Sequence, residues 1–388
     1  MEPHSVDVLL VGGGVAAARC ARTLRRRGFA GSILLVSDEA TGPYNRPPLS
    51  KELLQAELPE ELALAEPLSW YERHGVELRL GTTVASLDPG ARSATLADGG
   101  SVRCGQCLLA TGATPRRPPV PGAEHALLLR TLADGARIRD LAVAGSRAVV
   151  IGGGFIGVEV AGSLAARGVS VTVVELAGGL WGGAFGPAVS AWAVERLAAA
   201  GVEVRLDTPC EAVTSSGVNL AQGQLEADFV VAGVGVAPRV QLAEAAGLAV
   251  DDGILVDDGQ QASSAGMYAA GDVARVADRA RVEHWHAARE TGERAALAML
   301  GETLPQRRTP WVFSEFADAK LDVVGWAPRW DEIVELAGGW AYLVDGRVAQ
   351  LAIRDSQLPV EEARALIESG PTQRDVERFA RDALASRA

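Results

Sequence analysis

The chain has 388 residues, 48% of them hydrophobic, which is enough for two or three domains with substantial cores. Its net charge of −12 and pI near 5.1 argue against nucleic acid as a partner, because phosphate binding needs a basic surface. The N-terminus lacks a signal-peptide pattern, and no apolar run reaches the roughly 18 residues of a spanning helix. These features predict a soluble, cytoplasmic protein that does not associate with membranes.

The four cysteines are too few and too scattered for a disulfide framework. Cys104 and Cys107 form a C-x-x-C pair without the second pair that a zinc site needs. If both lie in one strand, their odd spacing would point the thiols to opposite faces. We interpret them as packed or surface thiols, and we predict no metal site.

The first predicted elements are a strand over Val8–Val11 and a helix over Ala16–Arg27, joined by the turn Gly12-Gly-Gly-Val-Ala-Ala17. A glycine at the turn, a second where backbone approaches a pyrophosphate and a small third residue are typical of dinucleotide sites at a helix N-terminus. A second strand, Ser32–Val36, is followed by Asp38 and Glu39, and a carboxylate there usually accepts hydrogen bonds from the adenosine ribose.

The same pattern recurs about 140 residues later, which is the one internal repeat of the sequence. Ala148–Ile151 precedes Gly152-Gly-Gly-Phe-Ile-Gly157, and the next strand ends at Glu175. No arginine follows Glu175 closely, so a 2′-phosphate would meet a negative charge and no guanidinium. The second site is therefore predicted to prefer NADH over NADPH. Two such sites in one chain predict electron transfer between two dinucleotides.

Further motifs follow in chain order: Pro43-Tyr-Asn-Arg-Pro-Pro-Leu-Ser-Lys51, Ala110-Thr-Gly112, Arg130-Thr-Leu132, Gly233-Val-Gly235, Ala270-Gly-Asp272, Glu283-His-Trp285 and Pro310-Trp311. Together with the two glycine turns they resemble the two-dinucleotide-fold FAD/NAD(P) oxidoreductases, the pyridine nucleotide-disulfide oxidoreductases. Within this superfamily the chain is similar to the ferredoxin reductases of oxygenase and cytochrome P450 systems. The likeness covers nearly the whole chain.

The resemblance implies an α/β fold with two Rossmann-like domains of the glutathione reductase type and a small α+β C-terminal domain. Residues 1–114 and 247–309 would bind FAD, residues 115–246 would bind NADH, and residues 310–388 would form the third domain. The proline-rich segment Pro115–Gly122 fits the first boundary as a stiff linker. The tryptophans and the antiparallel-looking strands after Arg308 fit the boundary of the third domain.

The resemblance also implies which residues contact each cofactor. Those expected at FAD are Gly12, Gly14, Val15, Ala16, Ala17, Asp38, Glu39, Arg46, Pro47, Lys51, Val84, Ala110, Thr111, Gly112, Arg130, Gly271, Asp272, Trp285 and Phe313. Those expected at NADH are Gly152, Gly154, Phe155, Ile156, Gly157, Glu175, Gly233 and Gly235. Lys51, near the flavin N5 edge, and Glu159, facing it across the nicotinamide pocket, are the candidate catalytic residues.

Two departures from the family pattern bear on the acceptor. The segment Glu39–Tyr44 has no cysteine where the disulfide-reducing branches carry one, which disfavours reduction through a protein thiol. In addition, Phe313 stands where the ferredoxin reductases often have a second tryptophan. The motif therefore does not define the route by which electrons leave the flavin, or the acceptor.

The expected function is therefore electron transfer from NADH through FAD to a small iron–sulfur protein, a 2Fe–2S ferredoxin. The alternatives are an NADH oxidase or a reductase of quinones or other small acceptors, and a redox-sensing protein of the apoptosis-inducing-factor type. The chain would be a monomer or a homodimer. An acidic ferredoxin would need a basic patch on this acidic protein, and Arg307, Arg308 and Arg329 are the candidates.

Overall fold

The computed structural model describes residues 4–55 and 59–386. The chain divides into two compact units, and each is built from three separate segments. The first unit combines Met1–Arg46, Glu60–Thr114 and Val236–Gln306, and the second combines Pro47–Pro59, Pro115–Gly235 and Arg307–Ala388. The predicted three-domain boundaries stay a prediction.

The described residues contain ten α-helices, which are, in chain order, α1 (Val15–Arg26), α2 (Glu52–Gln55), α3 (Leu68–Arg73), α4 (Leu132–Leu141), α5 (Phe155–Ala166), α6 (Gly186–Ala199), α7 (Gln241–Ala245), α8 (Trp285–Met299), α9 (Val360–Glu368) and α10 (Gln373–Ala385). Among these residues, no helix is both long and apolar enough to cross a membrane.

The strands of the described residues, again in chain order, are β1 (His4–Val11), β2 (Ile33–Val36), β3 (Val76–Arg79), β4 (Val84–Asp88), β5 (Ser93–Leu96), β6 (Ser101–Leu109), β7 (Ala113–Pro115), β8 (Arg147–Ile151), β9 (Ser170–Val174), β10 (Glu203–Arg205), β11 (Cys210–Thr214), β12 (Gly217–Leu220), β13 (Gly223–Glu226), β14 (Phe229–Ala232), β15 (Val236–Pro238), β16 (Ile254–Val256), β17 (Met267–Ala269), β18 (Ala274–Val276), β19 (Trp311–Phe316), β20 (Ala319–Gly325), β21 (Glu332–Leu336), β22 (Gly339–Val344) and β23 (Arg347–Arg354). The predicted α/β class is confirmed.

The first unit is built on a sheet in which β3, β2, β1 and β6 are parallel and β17 pairs with β6. Alternate residues of β1 enter two different core clusters, with Leu9 in one and Leu10 in the other, so the sheet is covered on both faces. Helices α1 and α8 cover one face. Their close approach requires Gly292, because a Cβ there would lie 2.2 Å from the Ala16 carbonyl oxygen.

The second unit contains the parallel sheet β10-β9-β8-β14, the antiparallel sheet β11-β12-β13 and the five-stranded antiparallel sheet β19-β20-β23-β22-β21. Helices α9 and α10 pack on the five-stranded sheet around a core that includes Leu351 and Val376. Helix α5 packs against the turn after β19, where a Cβ on Gly162 would lie 2.4 Å from the Ala317 nitrogen. This contact brings α5 and β19 together.

The expectation that Cys104 and Cys107 point to opposite faces is wrong. Both lie in β6, yet both side chains belong to the same core cluster, because its members on this strand change from Val102 and Cys104 to Cys107 and Leu109. The change falls between Cys104 and Cys107, and β1 makes the same change in register, from Val6 to Leu9. The pKa of the Cys107 thiol is raised well above its usual value by a hydrogen bond with Cys104 and by burial.

Candidate dinucleotide sites

The turn after β1 is shaped for a bound anion. Gly12 has a φ of +120°, and a Cβ there would lie 2.2 Å from the Ala110 carbonyl oxygen, so only glycine fits. Gly14 is the N-cap of α1, with no side chain capping the first turn and no atom within 4 Å of an added Cβ. The N–H groups of the first turn therefore face open space, which suits the pyrophosphate of a dinucleotide.

Two segments of the first unit border this turn, and both are held by side-chain hydrogen bonds. The Gly271 N–H donates to Thr291 Oγ1 at 2.9 Å. Thr111 Oγ1 donates to the Arg239 carbonyl at 2.8 Å, and the Arg239 N–H donates to the Gly112 carbonyl at 2.9 Å. Arg239 is a residue that the sequence did not single out.

The two candidate ribose carboxylates have different partners. Glu39 accepts hydrogen bonds from Tyr44 Oη at 2.6 Å and from Arg46 Nη2 at 2.8 Å. Asp38 pairs through Oδ2 with Arg239 at 2.9 Å, and no described residue donates to its Oδ1. Asp38 thus keeps an oxygen for a ribose hydroxyl, whereas Glu39 fixes the guanidinium of Arg46.

Trp285, the first residue of α8, is fixed in orientation by a hydrogen bond from Nε1 to Asn45 Oδ1 at 2.7 Å. Beside it, burial lowers the pKa of His284 to about 4. The Asp272 carbonyl accepts from Arg281 Nη1 at 3.1 Å. Val84 begins β4 and its side chain lies in the core.

The residues predicted at FAD fall into both units. The first unit holds Gly12, Gly14, Val15, Ala16, Ala17, Asp38, Glu39, Arg46, Val84, Ala110, Thr111, Gly112, Gly271, Asp272 and Trp285. The second unit holds Pro47, Lys51, Arg130 and Phe313, together with every residue predicted at NADH.

The turn after β8 repeats the geometry of the first. Gly152 has a φ of +99°, and a Cβ there would lie 2.6 Å from the Gly233 carbonyl oxygen. Gly154 is the N-cap of α5 and has no side-chain cap. A Cβ on Gly157 would lie 1.9 Å from the Gly152 carbonyl oxygen, so the third glycine sets how closely α5 packs on its strand. Phe155 and Ile156 form the first turn of α5, and Gly235 borders open space.

Glu175 is bound to the turn itself. Its Oε2 accepts from the Gly153 N–H at 2.5 Å and its Oε1 accepts from the Ala177 N–H at 2.7 Å. The Trp181 N–H donates to the Gly153 carbonyl at 2.7 Å, and Trp181 has a φ of +55°, which is rare for a bulky residue. Trp181 was not predicted at this site.

Lys51 and Glu159 form a buried ion pair inside the second unit. Lys51 Nζ lies 2.8 Å from Glu159 Oε2, and the two residues are 7% and 4% exposed. Ser50 Oγ also donates to Glu159 Oε2, and Ser314 Oγ donates to Oε1 at 2.9 Å. Lys51 Nζ donates a second hydrogen bond to the Pro47 carbonyl at 3.1 Å. Three donors therefore hold one buried carboxylate.

Phe313 lies beside this network on β19. Its ring centroid is 5.6 Å from Lys51 Nζ and 5.7 Å from Lys320 Nζ, so two ammonium groups approach the ring closely enough for cation–π interactions. The Arg130 N–H donates to Asp134 Oδ2 at 3.1 Å, just before the Thr131 cap of α4.

The three arginines considered for partner docking are in the second unit. Arg308 is exposed and pairs with Glu361, whereas Arg329 is exposed in the turn before β21. Arg307 is half-buried.

A family model described as pyridine nucleotide-disulphide oxidoreductase matches residues 6–292. The chain belongs to the pyridine nucleotide-disulphide oxidoreductase family. It is 35% identical over 329 residues to the anthranilate 1,2-dioxygenase system ferredoxin–NAD(+) reductase component of Burkholderia cepacia, covering 82% of this chain and 81% of that protein. It is 34% identical over 400 residues to the 5,5′-dehydrodivanillate O-demethylase ferredoxin reductase subunit of a Sphingobium species, covering 97% and 96%.

Solved structures agree with this family. Putidaredoxin reductase, in its covalent complex with putidaredoxin, matches with a TM-score of 0.92, 29% identity and 98% coverage of each chain. The ferredoxin reductase for the CYP199A2 system of Rhodopseudomonas palustris matches with a TM-score of 0.86 and 30% identity, covering 95% of this chain and 98% of that one. The predicted two-dinucleotide fold is confirmed.

This pyridine nucleotide-disulphide oxidoreductase is therefore a flavoprotein enzyme, and its cofactors are FAD and NADH. Its own residues fit both groups, because each glycine turn presents an uncapped helix N-terminus to a phosphate. Arg239, Ser50 and Ser314 were not predicted in these sites. Ser50 and Ser314 lie within quoted motifs, but nothing in the pattern tied either hydroxyl to Glu159.

Proposed function

We propose that this oxidoreductase transfers electrons from NADH to a 2Fe–2S ferredoxin that serves an oxygenase or a cytochrome P450. One NADH would reduce two ferredoxins by one electron each, releasing NAD⁺ and a proton. The observation that carries the proposal is the similarity, over 82% and 97% of the chain, to two proteins named as ferredoxin reductase components. The segment Glu39–Tyr44 supports the proposal, because it has no cysteine that could relay electrons from the flavin to a disulfide substrate.

FAD, when bound, would accept a hydride from NADH and release electrons singly. The uncapped first turn of α1 would hold its pyrophosphate, and Asp38 would accept from its ribose. The first turn of α5 would hold the NADH pyrophosphate. Lys51 and Glu159 would border the nicotinamide, where their buried pair presents fixed charges and excludes water.

The protein's discrimination between nicotinamide cofactors would come from Glu175. Its two oxygens already accept backbone hydrogen bonds, so its negative charge is fixed at the end of β9. Each carboxylate oxygen has a second lone pair for a ribose hydroxyl. A 2′-phosphate at the same place would be repelled.

A comparison of acceptors tests the function. NADH oxidation by the purified holoenzyme would be measured with the 2Fe–2S ferredoxins of the same organism, with a neutral quinone and with oxygen alone. We expect kcat/KM for at least one ferredoxin to exceed that for the quinone by tenfold or more. Equal or faster turnover with the quinone or oxygen would instead indicate the small-acceptor alternatives. A cytoplasmic location and a monomeric or homodimeric state remain part of the proposal.

A further inference from the structure

A pocket of about 210 Å³ lies in the first unit, where α1 packs against α8. Arg19 and Arg22 project into it from α1, and Trp285 and Arg289 from α8. Asn45 and Glu66 complete the polar part of its wall. None of the three arginines belongs to the residues assigned to FAD or NADH.

The pocket contains more positive than negative charge. Arg19 pairs with Glu293 at 2.5 Å, and Arg22 pairs with Glu66. These two carboxylates neutralise two of the three guanidinium groups that meet there. Arg289 is the third, and it supplies the surplus charge.

Arg289 makes no hydrogen bond or ion pair with any residue that the structure describes. Its Cζ stacks 4.4 Å from the ring centroid of Trp285, and that indole is fixed in turn by Asn45. The pKa of Arg289 is lowered by burial and by the like charges of Arg19 and Arg22. This guanidinium is half-buried, is stacked on a fixed indole ring and has N–H donors without an acceptor among the described residues. Such a group is suited to binding an anion.

We propose that this pocket binds a surface carboxylate of the ferredoxin, an inference that rests on the proposed function. A chain of net charge −12 repels an acidic partner at long range, so productive docking needs a local positive site. Arg289 can take a carboxylate with two parallel hydrogen bonds. Trp285, which forms the floor beneath Arg289, is also a predicted FAD contact, so a ferredoxin anchored there docks beside the predicted flavin site. Arg308, in contrast, is already paired with Glu361.

The test compares two charge reversals in the FAD-loaded enzyme. Arg289→Glu changes the pocket, and Arg26→Glu makes the same charge change at an exposed position of α1 outside the pocket. The dissociation constant for ferredoxin would be measured by calorimetry, beside KM for ferredoxin and turnover with a neutral quinone. We expect Arg289→Glu to weaken ferredoxin binding by about tenfold or more at low salt, and by much less near 0.5 M salt. Arg26→Glu should stay within about twofold of the unmodified enzyme.

Milder variants, Arg289→Gln and Arg22→Gln, protect the test against misfolding, with FAD content and melting temperature as checks. If Arg289→Glu and Arg26→Glu weaken ferredoxin binding equally, the pocket is not the docking site, and the proposed function still stands. If, in that case, phosphate raises the melting temperature of the unmodified enzyme but not that of Arg289→Gln, the pocket binds small anions instead of the ferredoxin. If the unmodified enzyme neither binds nor reduces any ferredoxin, both proposals are overturned. Loss of binding on reversal of Arg307 and Arg308, with Arg289→Glu unaffected, would place docking in the second unit.

Discussion

Ser314 Oγ lies 2.9 Å from Glu159 Oε1, so a hydroxyl on β19 holds a carboxylate on α5 that is 155 residues away in the chain. Because Ser50 and Lys51 occupy the other oxygen, the carboxylate is held from both sides. Its orientation therefore depends on the five-stranded sheet as well as on the nucleotide-binding fold. Ser314 acts as a positioning residue for Glu159.

Ser314→Ala removes this donor and leaves the Lys51 pair in place. We expect the free energy of unfolding to fall by about 1–3 kcal/mol, because a buried carboxylate loses a hydrogen bond. We also expect slower hydride transfer at saturating NADH, measured from flavin absorbance in a stopped-flow instrument. Ser190→Ala is the matched control, since it removes another buried hydroxyl of the second unit that does not contact Glu159. Equal rates in the two variants would contradict a positioning role.

Lys51→Met should leave Glu159 as a buried charge without its cation. Such a change typically costs about 3–5 kcal/mol of stability, whereas removing both charges costs less. The double variant Lys51→Met/Glu159→Gln should therefore unfold at higher denaturant than Lys51→Met alone. Hydride transfer should be slow in both, because the fixed charges beside the predicted nicotinamide site are gone. A Lys51→Met enzyme with an unchanged rate would remove Lys51 from the proposed site.

Glu175→Gln should narrow the preference for NADH over NADPH, which we expect to be roughly 10²-fold in kcat/KM. The amide keeps one acceptor oxygen for the turn but loses the charge that repels a 2′-phosphate. Glu175→Ala should in addition raise KM for both cofactors, because the Gly153 and Ala177 N–H groups lose their acceptor. Steady-state kinetics with both cofactors distinguish these effects. Comparable kcat/KM values in the unmodified enzyme would refute the role of Glu175.

Gly14→Ala and Gly154→Ala form a matched pair at the two N-caps. Neither Cβ would come closer than 3.7 Å to a protein atom, so both variants should fold with nearly unchanged melting temperature once cofactor is removed. A methyl group at Gly14 projects into the space predicted for the FAD pyrophosphate, so that protein should be purified with little FAD. Gly154→Ala should retain FAD and show a raised KM for NADH. If Gly14→Ala keeps its full FAD content, the first turn does not hold that cofactor.

His284 predicts a loss of stability in mild acid. Its pKa in the folded protein is lowered to about 4 by burial, below the ordinary value of 6.5. Between these values the unfolded chain binds a proton that the folded chain excludes, so the free energy of unfolding falls as the pH drops from about 6.5 towards 4. The full effect is on the order of 3 kcal/mol. His284→Asn, which places a residue favoured at helix N-caps before α8, should lack this part of the pH dependence in melting curves of the holoenzyme.

The glycine turns were predictable because their residue types are dictated by local geometry. A φ of +120° at Gly12 and a Cβ position 1.9 Å from a carbonyl oxygen at Gly157 leave no other choice, so such constraints appear directly in the sequence. The elements around them followed from their apolar patterns. The predicted strand Val8–Val11 lies within β1, and the predicted helix Ala16–Arg27 agrees with α1 to within one residue at each end.

Contacts between distant segments could not be predicted in the same way. Ser314 with Glu159 and Arg239 with Asp38 join segments more than 150 residues apart, and a hydroxyl or a guanidinium at a loop or strand has many possible partners. The arginine pocket depends on how α1 and α8 pack against each other, which the sequence pattern did not reveal. The alternation rule failed at Cys104 and Cys107 because the residues of β6 that face the core cluster change between them, in register with the same change in β1.

The pairing of β6 with β17 has a consequence for the synthesis of this protein. Leu109 lies beside Ala269, so about 160 residues must leave the ribosome before the edge of β6 receives its last parallel neighbour. At about 5–20 residues per second, that interval is on the order of 10–30 s. The parallel sheet from β8 to β14 is encoded entirely within this interval. The nascent chain can therefore complete this four-stranded parallel sheet, with the glycine turn after β8, while the sheet of the first unit still lacks β17.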